Sequence, residues 1–97
     1  MAKKGYWIVF YETAPEPTVR AAYSALAKPA VEAAGGRFLA AGKPAKTFES
    51  GVEQSAVLVK FDSVEKAIAA YGSEAYQKAL KVFNNAAKRD IRIVEGM

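Results

Sequence analysis

The sequence predicts one α+β domain whose strands and helices follow each other in the order β-α-β-β-α-β. Four short runs of aromatic and β-branched residues alternate with two stretches of helical periodicity, which is the first observation behind this prediction. The second is the length, because 97 residues suffice for one hydrophobic core and are too few for two. The third is that no repeat or linker divides residues 1–97.

Four segments have the composition of β-strands. Residues 6–12 (YWIVFYE) form the first, which is almost wholly aromatic and β-branched. The other three are residues 37–41 (RFLAA), 55–61 (SAVLVKF) and 90–95 (DIRIVE). Between the second and third strands, residues 42–54 predict a loop that holds a minor strand around residues 47–49.

One long amphipathic helix is predicted between the first two strands. Apolar residues recur every three or four positions from Val19 to Ala34. Pro17 suits the first turn of this helix, and Pro29 is expected to kink it or to loosen one turn. Gly35 and Gly36 should end it.

The second helix is predicted in two pieces. It starts at Val64, with Asp62 as the N-cap and Glu65 three residues later. Gly72 and Ser73 interrupt it, and Ser73 caps the piece that follows. The resulting order is that of the ferredoxin-like sandwich, in which helices cover one face of a four-stranded antiparallel sheet.

The other face of this sheet is predicted to be apolar as well. Side chains alternate between the two faces of a strand, and the helices can cover only one face. Trp7, Val9, Val57 and Val59 fall in the covered set. The uncovered set consists of Tyr6, Ile8, Phe10, Leu39, Leu58 and Val94, with Glu12, Arg37, Lys60 and Arg92 at its edges.

Six large apolar side chains left in water would forgo about 10 kcal/mol, at about 1.5–3 kcal/mol each. This rivals the stability of a typical domain, so we expect something to cover the face. A second copy of the chain, packed by the same face about a two-fold axis, is the simplest cover. An apolar wall with a few charges is also typical of a small-molecule cleft, so the edge charges have two open interpretations: ligand contacts, or ion pairs across a plain dimer interface.

The edge charges supply the candidate catalytic residues. Arg37 can stabilise a carboxylate or an enolate, and Glu12 or Lys60 can move a proton. The structural alternative for Arg37 is an ion pair with Glu12 or Glu49. The candidate ligand-binding residues are Tyr6, Ile8, Phe10, Leu39, Leu58, Arg92 and, beside the helix break, Tyr71 and Tyr76.

The composition excludes several classes of site. The chain has no cysteine and no histidine, which excludes disulfides, thiolate metal sites and a Ser-His-Asp triad. No metal-ligand cluster or phosphate-binding loop is recognisable, and no cofactor is expected. The net charge of +4 is scattered along the chain, so a nucleic-acid partner is not expected. No apolar stretch approaches the ~20 residues of a membrane span, and no signal-peptide core follows Lys3 and Lys4, so we expect a cytoplasmic protein without a membrane partner.

Five short motifs lie in order along the chain. They are residues 5–7 (GYW), 35–39 (GGRFL), 61–67 (FDSVEKA), 71–77 (YGSEAYQ) and 93–96 (IVEG). Together they resemble the bacterial domain-of-unknown-function family 1330 (DUF1330). The resemblance implies a dimeric α/β barrel, related in shape to cofactor-independent monooxygenases and other small ligand-handling barrels, and it assigns no reaction. The family tends to carry arginines where this chain has Ala41, Ala56 and Phe83, so the resemblance implies a more apolar cleft here.

These observations favour a homodimeric α/β barrel that binds a small, largely apolar molecule in the cleft between the two sheets. In one form of this hypothesis the protein is a cofactor-independent monooxygenase or an isomerase-like enzyme. The alternatives are a non-catalytic ligand carrier or sensor with the same pocket, and a plain dimeric assembly module whose second face is filled by the partner. The size of any cavity between the subunits separates the last alternative from the others.

Overall fold

The observed elements follow the predicted order, with the second helix in two pieces. The computed structural model describes residues 3–97, so the first two residues of the predicted domain lie outside the described part. The strands are β1 (Gly5–Tyr11), β2 (Arg37–Gly42), β3 (Ala56–Phe61) and β4 (Arg89–Glu95). The helices are α1 (Pro17–Ala33), α2 (Val64–Gly72) and α3 (Glu74–Phe83).

The four strands form one sheet in the order β2-β3-β1-β4, and every neighbouring pair is antiparallel. Together with the helices on one face, this is the predicted ferredoxin-like α+β fold. Trp7 shows how the layers are joined: it is 2% exposed, and its indole Nε1 donates to the carbonyl oxygen of Ala67 in α2 at 2.7 Å. The core lies between the sheet and the helices. Its largest members are Trp7, Tyr23, Phe61, Tyr76 and Phe83.

Helix α1 begins and ends as predicted. Pro17 occupies its first turn, and the helix continues through Pro29 to Ala33 without a break. Gly35 has a φ of 94°, a left-handed conformation that favours glycine. The amide of Gly36 donates to the carbonyl oxygen of Val31 at 2.9 Å, which satisfies a terminal carbonyl of the helix.

Two helix boundaries differ from the prediction. The N-cap of α2 is Ser63 and not Asp62, because the Ser63 hydroxyl accepts from the amide of Lys66 at 3.2 Å. The Asp62 carboxylate instead contacts the ammonium group of Lys4 at 3.3 Å. Apolar residues in helical register predict that the last helix continues to Ala86 and Ala87, but α3 ends at Phe83, because Asn84 takes the left-handed conformation with a φ of 47°. The predicted N-cap of α3, Ser73, is confirmed: its hydroxyl accepts from the amide of Tyr76 at 3.3 Å.

The minor strand predicted around residues 47–49 is wrong, because this stretch is a loop in the described part of the chain. Glu49 has a φ of 55°, which a strand does not accommodate, and the amide of Gly51 closes a turn on the Phe48 carbonyl at 3.0 Å. None of the helices within residues 3–97 has the length and apolarity needed to cross a membrane.

A β-bulge in β2 changes the faces on which Ala40 and Ala41 lie. The register shifts between Phe38 and Ala40, so that Ala40 pairs with Leu58 and Ala41 pairs with Val57. Strict alternation along the predicted second strand would place Ala41 on the face of Arg37 and Ala40 on that of Phe38, and both assignments are wrong because the extra residue at Leu39 reverses the alternation. Ala41 lies on the helix side of the sheet.

The opposite sheet face, which we call the outer face, carries the apolar set predicted for it. No helix within residues 3–97 covers this face. Its large apolar members are Tyr6, Ile8, Phe10, Leu39, Leu58 and Val94, each half-buried or exposed.

Candidate ligand-binding site

Arg89 is the first residue of β4, and its side chain points toward the helices. It pairs with Tyr11 of β1, two positions before Ile91, which pairs with the buried Val9. Because strand side chains alternate, Arg89, Ile91 and Ile93 lie on the same face of β4. The fold thus places a guanidinium group at the edge of the apolar core.

Three tyrosine hydroxyls accept hydrogen bonds from Arg89. Its Nη1 atom donates to the hydroxyl of Tyr11 at 3.1 Å and to that of Tyr23 at 3.2 Å. Its Nη2 atom donates to the hydroxyl of Tyr76 at 3.3 Å. The Tyr23 and Tyr76 hydroxyls also share a hydrogen bond of 2.5 Å. We call these four residues, which come from β1, α1, α3 and β4, the tyrosine–arginine cluster.

Aromatic rings surround the guanidinium group of this cluster. The Arg89 Cζ atom lies 4.3 Å from the ring centroid of Phe83 and 5.1 Å from that of Tyr23. At these distances the rings attract the cation electrostatically. Hydrogen bonds and aromatic faces together hold the charge of Arg89 in a half-buried position.

The cluster is positively charged at neutral pH. Burial works against the charged form of Arg89, but the neighbouring Tyr23 and Tyr76 outweigh it and hold the pKa of Arg89 above its usual value. Burial and the adjacent Tyr23 raise the pKa of Tyr76 well above the usual tyrosine value. Burial also raises the pKa of Tyr11. No carboxylate within residues 3–97 lies within 4.0 Å of the Arg89 guanidinium, so its charge has no counterion there.

The cluster has hydrogen-bond donors to spare. Each tyrosine carries one O–H, and one of the three is used between Tyr23 and Tyr76. The other two O–H groups have no acceptor among the described residues. Arg89 donates three hydrogen bonds within the cluster, so some of the five N–H groups of its guanidinium remain unused. A ligand oxygen placed here would meet several donors at once.

A cavity of about 300 Å³ opens beside the cluster, between α1 and the sheet. Its volume is at the lower end of the range for small-molecule sites. Most of the wall is apolar, and among the described residues the charged side chains lining it are Arg89 and Lys28. The main wall residues are Trp7, Val9, Val31, Phe38, Val57 and Tyr76. We call this space the helix-side cavity.

Arg89 also borders a second, more open cavity of about 530 Å³ between β4 and the helices α2 and α3. Tyr71 and Phe83 lie in its wall. Of the ligand-binding candidates predicted from sequence, Tyr71 and Tyr76 are therefore on the helix side of the sheet. Within residues 3–97, no three acidic side chains come together as a metal site would require.

The remaining predicted site residues belong to the outer face. Arg37 and Lys60 are register partners at one end of the sheet. Glu12 follows β1 at the other end, six residues beyond Tyr6, the partner of Lys60, and so about 20 Å away. One protomer therefore does not bring Glu12 together with Arg37 and Lys60.

Two of the charged groups at the edges of the outer face, Glu12 and Arg92, make local ion pairs. Glu12 pairs with Lys88 at 3.7 Å, and not with Arg37. Arg92 donates to the Asp90 carboxylate at 3.0 Å and lies 5.3 Å from the ring centroid of Phe10. Beside them, an open groove of about 610 Å³ runs between the end of the sheet and the loop of residues 43–54. The predicted residues Phe10, Glu12 and Arg92 line this groove.

Arg89 was missed from the sequence because the fourth strand was predicted to begin at Asp90. Counting back in steps of two from Ile93 and Ile91 places Arg89 among apolar residues on the covered face. A charged residue in such a series is the signal that identifies it. Tyr11 and Tyr23 fall in apolar patterns, and nothing in the sequence separates them from ordinary core residues.

Comparison with known proteins assigns the family. The family model described as "Domain of unknown function (DUF1330)" matches residues 4–97. The chain belongs to the DUF1330 family. The resemblance noted from the five motifs is thereby confirmed. No curated protein matches the chain significantly.

Solved structures similar to this DUF1330 protein share its fold. A protein of unknown function from Rhodopseudomonas palustris has 14% identity and a TM-score of 0.73, over 100% of this chain and 85% of that one. A dimeric ferredoxin-like protein of unknown function from Thermobifida fusca has 18% identity and a TM-score of 0.67, over 99% and 93%. SnoaB, a cofactor-independent oxygenase from Streptomyces nogalater, has 9% identity and a TM-score of 0.67, over 99% and 95%.

The structure shows where the three positions lie at which the resemblance implies arginines in the family. Ala41 lines the helix-side cavity, and Phe83 lies against the Arg89 guanidinium at 4.3 Å. Ala56 pairs with Phe10, on the outer face. Two of the three positions therefore border the cavity or its arginine.

Proposed function

We propose that this DUF1330 protein is a homodimeric α/β barrel that binds a small, largely apolar molecule, and that each protomer holds the ligand in its helix-side cavity. The observation that carries the proposal is the guanidinium of Arg89, which has no carboxylate partner within residues 3–97, at the wall of an apolar cavity. This differs from the cleft between the sheets that the sequence favoured.

A half-buried charge without a counterion is unfavourable unless hydrogen bonds or a ligand compensate it. Tyrosine hydroxyls supply dipoles, but they supply no negative charge at neutral pH. A ligand with an oxygen directed at Arg89 would complete the compensation, while its apolar part would fill the space beside Val31 and Phe38. The size and lining of the cavity suit such a molecule.

The proposed dimer explains the outer face. Tyr6, Ile8 and Phe10 of β1 remain half-buried or exposed in the isolated protomer, and a partner sheet would bury them. The similar protein from Thermobifida fusca is described as dimeric, which supports this assembly. In this view Leu39 and Leu58 belong to the dimer contact, and the charged residues named for catalysis or ligand contact become interface or rim groups. Those residues are Glu12, Arg37, Lys60 and Arg92.

Native mass spectrometry of freshly purified protein tests the proposal. We expect twice the chain mass of 10.4 kDa, together with up to two copies of a co-purifying small molecule. Arg89→Met should lose that molecule and keep the dimer. Lys88→Met removes the same charge one residue earlier, from a side chain that is 75% exposed, and should keep both. Equal occupancy in the Arg89→Met variant would exclude the helix-side cavity as the ligand site.

A second candidate function is cofactor-independent oxygenation. The guanidinium and the spare O–H donors can stabilise the oxyanion of an enol or a phenol, and such electron-rich anions react with dioxygen without a metal. The fold shared with SnoaB supports this candidate. Dioxygen uptake with small hydroquinones, measured at an oxygen electrode, would distinguish it from a carrier or sensor. An enzyme loses the uptake in Arg89→Met, whereas a carrier shows no uptake above the buffer rate.

A further inference from the structure

We infer that the helix-side cavity is selective for weak oxygen acids, such as phenols, enols or carboxylic acids, and that it binds them in the ionised form. The inference rests on the proposed ligand site and specifies its chemistry. Two features support the inference: the hydrogen-bond donors of the tyrosine–arginine cluster and the charges of the side chains that line the cavity.

Within residues 3–97, the titratable side chains that face the cavity or the cluster are tyrosines, a lysine and arginines, and none is a carboxyl group. Helix α1 contributes Tyr23, Lys28 and, beside Tyr11, Arg20; β1 contributes Tyr11, α3 contributes Tyr76 and β4 contributes Arg89. The wall residues from β2 and β3 are Phe38, Ala41 and Val57, none of which titrates. No aspartate or glutamate lines the cavity in the described part of the chain. An anion bound there therefore meets attraction and no like-charge repulsion.

The hydrogen bonds favour the ionised ligand for a second, independent reason. The spare groups of the cluster are mostly donors: two tyrosine O–H groups and the unused N–H groups of Arg89. An ionised oxygen accepts several of them at once. A protonated acid must also donate its own hydrogen, and the tyrosine oxygens nearest to it already accept from Arg89. Hydrogen bonding to the charged form lowers the pKa of an acid.

The apolar wall works in the opposite direction, because burial disfavours a charge. The balance therefore depends on Arg89, because the charge of Lys28, the other cationic wall residue, is exposed to solvent and screened. With Arg89 present, we expect the pKa of a bound acid to fall by about one to three units below its value in water. With Arg89 replaced by methionine, the apolar wall dominates and the pKa of the bound acid should rise instead.

The probe for this inference is p-nitrophenol, because its ionised form absorbs visible light and its neutral form does not. Absorbance of the saturated complex between pH 3.5 and 9 gives the pKa of the bound probe. Trp7 is the only tryptophan and lies in the cavity wall, so quenching of its fluorescence reports binding independently of ionisation. Nitrobenzene has the same ring without an acidic group, and it tests whether the cavity accepts the apolar part alone.

Four variants make the comparison specific. Arg89→Met should reverse the sign of the pKa change, and Lys88→Met should leave the change as in the parent protein. Arg89→Lys keeps the charge and should keep a fall. Tyr11→Phe keeps Arg89 but removes one O–H donor, so it should reduce the fall and preserve binding. This last variant keeps the inference testable if the core does not tolerate methionine at position 89.

The outcomes separate this inference from the function on which it rests. A bound p-nitrophenol with an unchanged or raised pKa overturns the inference and leaves the cavity as a ligand site. Quenching by nitrobenzene without binding of p-nitrophenol does the same. If neither compound quenches Trp7, the inference and the proposed ligand site both fail. A lowered pKa in the parent protein that persists in Arg89→Met assigns the effect to another group and also overturns the inference.

Discussion

The hydroxyl oxygens of Tyr23 and Tyr76 lie 2.5 Å apart, and their hydrogen bond joins helix α1 to helix α3. Both hydroxyls also accept from Arg89 of β4, so one polar contact connects the two long helices to the edge strand. Tyr76 is 1% exposed, so this contact lies at the edge of the buried core. The same groups that would hold a ligand therefore also hold the fold together.

A double-mutant cycle measures this link. Tyr23→Phe and Tyr76→Phe should each lower the free energy of unfolding by about 1–2 kcal/mol, because each leaves a buried polar partner with fewer bonds. The double variant should lose less than the sum, since both single changes remove the same Tyr23–Tyr76 hydrogen bond. Urea unfolding followed by circular dichroism provides the values. Strict additivity would show that the two hydroxyls do not stabilise each other.

The buried phenol of Tyr76 should make the free energy of unfolding depend on pH in the alkaline range. Its pKa is raised in the native state by burial, so the neutral phenol stabilises the fold below the usual tyrosine pKa of about 10. Above that pH the unfolded chain ionises and the buried phenol does not, so this contribution is lost as the pH rises. The stability advantage of the parent over Tyr76→Phe should shrink by about 1.4 kcal/mol per pH unit above pH 10. Parallel stability curves for the two proteins from pH 8 to 11 would contradict this.

Much of the fold could be predicted from periodicity, because burial imposes it directly. Alternation in β1 separates the buried Trp7 from the half-buried Ile8, and the helical spacing in α1 places Tyr23 in the core. Local geometry was harder to predict. Whether Asp62 or Ser63 caps α2 depends on which side chain has a competing partner, and Lys4, 58 residues away in the chain, supplies it for Asp62.

The candidate site was predictable only in part, because it depends on contacts between distant segments. The periodicity of α3 predicts that Tyr76 is buried. The role of its hydroxyl, however, depends on hydrogen bonds with Tyr23 and Arg89, which are 53 and 13 residues away in the chain. The bulge at Leu39, which turns Ala41 toward the cavity, leaves no mark in a strand that contains no interior glycine or proline. Sequence alternation therefore identified the face of the outer residues and missed the residues of the cluster.

Gly36 should be intolerant of any side chain. A Cβ atom there would lie 2.6 Å from Cγ1 of Val31 and 2.9 Å from the ring of Phe61, both of which are buried in the core. Gly36→Ala should lower the free energy of unfolding by about 1–3 kcal/mol through overpacking. Gly72→Ala is the matched control, because a Cβ there meets nothing within 4 Å, and it should be neutral or slightly stabilising. Equal melting temperatures for the two variants would show that the contact at Gly36 relaxes freely.

The outer face offers a matched test of the dimer. Leu39 on β2 is 45% exposed and Leu26 on α1 is 43% exposed, so the isolated protomer presents the two leucines almost equally. Only Leu39 lies on the face that the proposed partner covers. Leu39→Glu would then bury two carboxylates, one from each protomer, in an apolar contact, and this is strongly unfavourable without a pairing charge.

We therefore expect Leu39→Glu to have the mass of a monomer in light scattering at micromolar concentration, with a far-ultraviolet circular dichroism spectrum like that of the parent. Leu26→Glu should keep the dimer mass, because it adds a charge to a surface that already faces water. If Leu26→Glu dissociates the assembly and Leu39→Glu does not, the helices and not the outer face form the contact. In that case the large apolar side chains of β1 and β3 on the outer face would need a different cover.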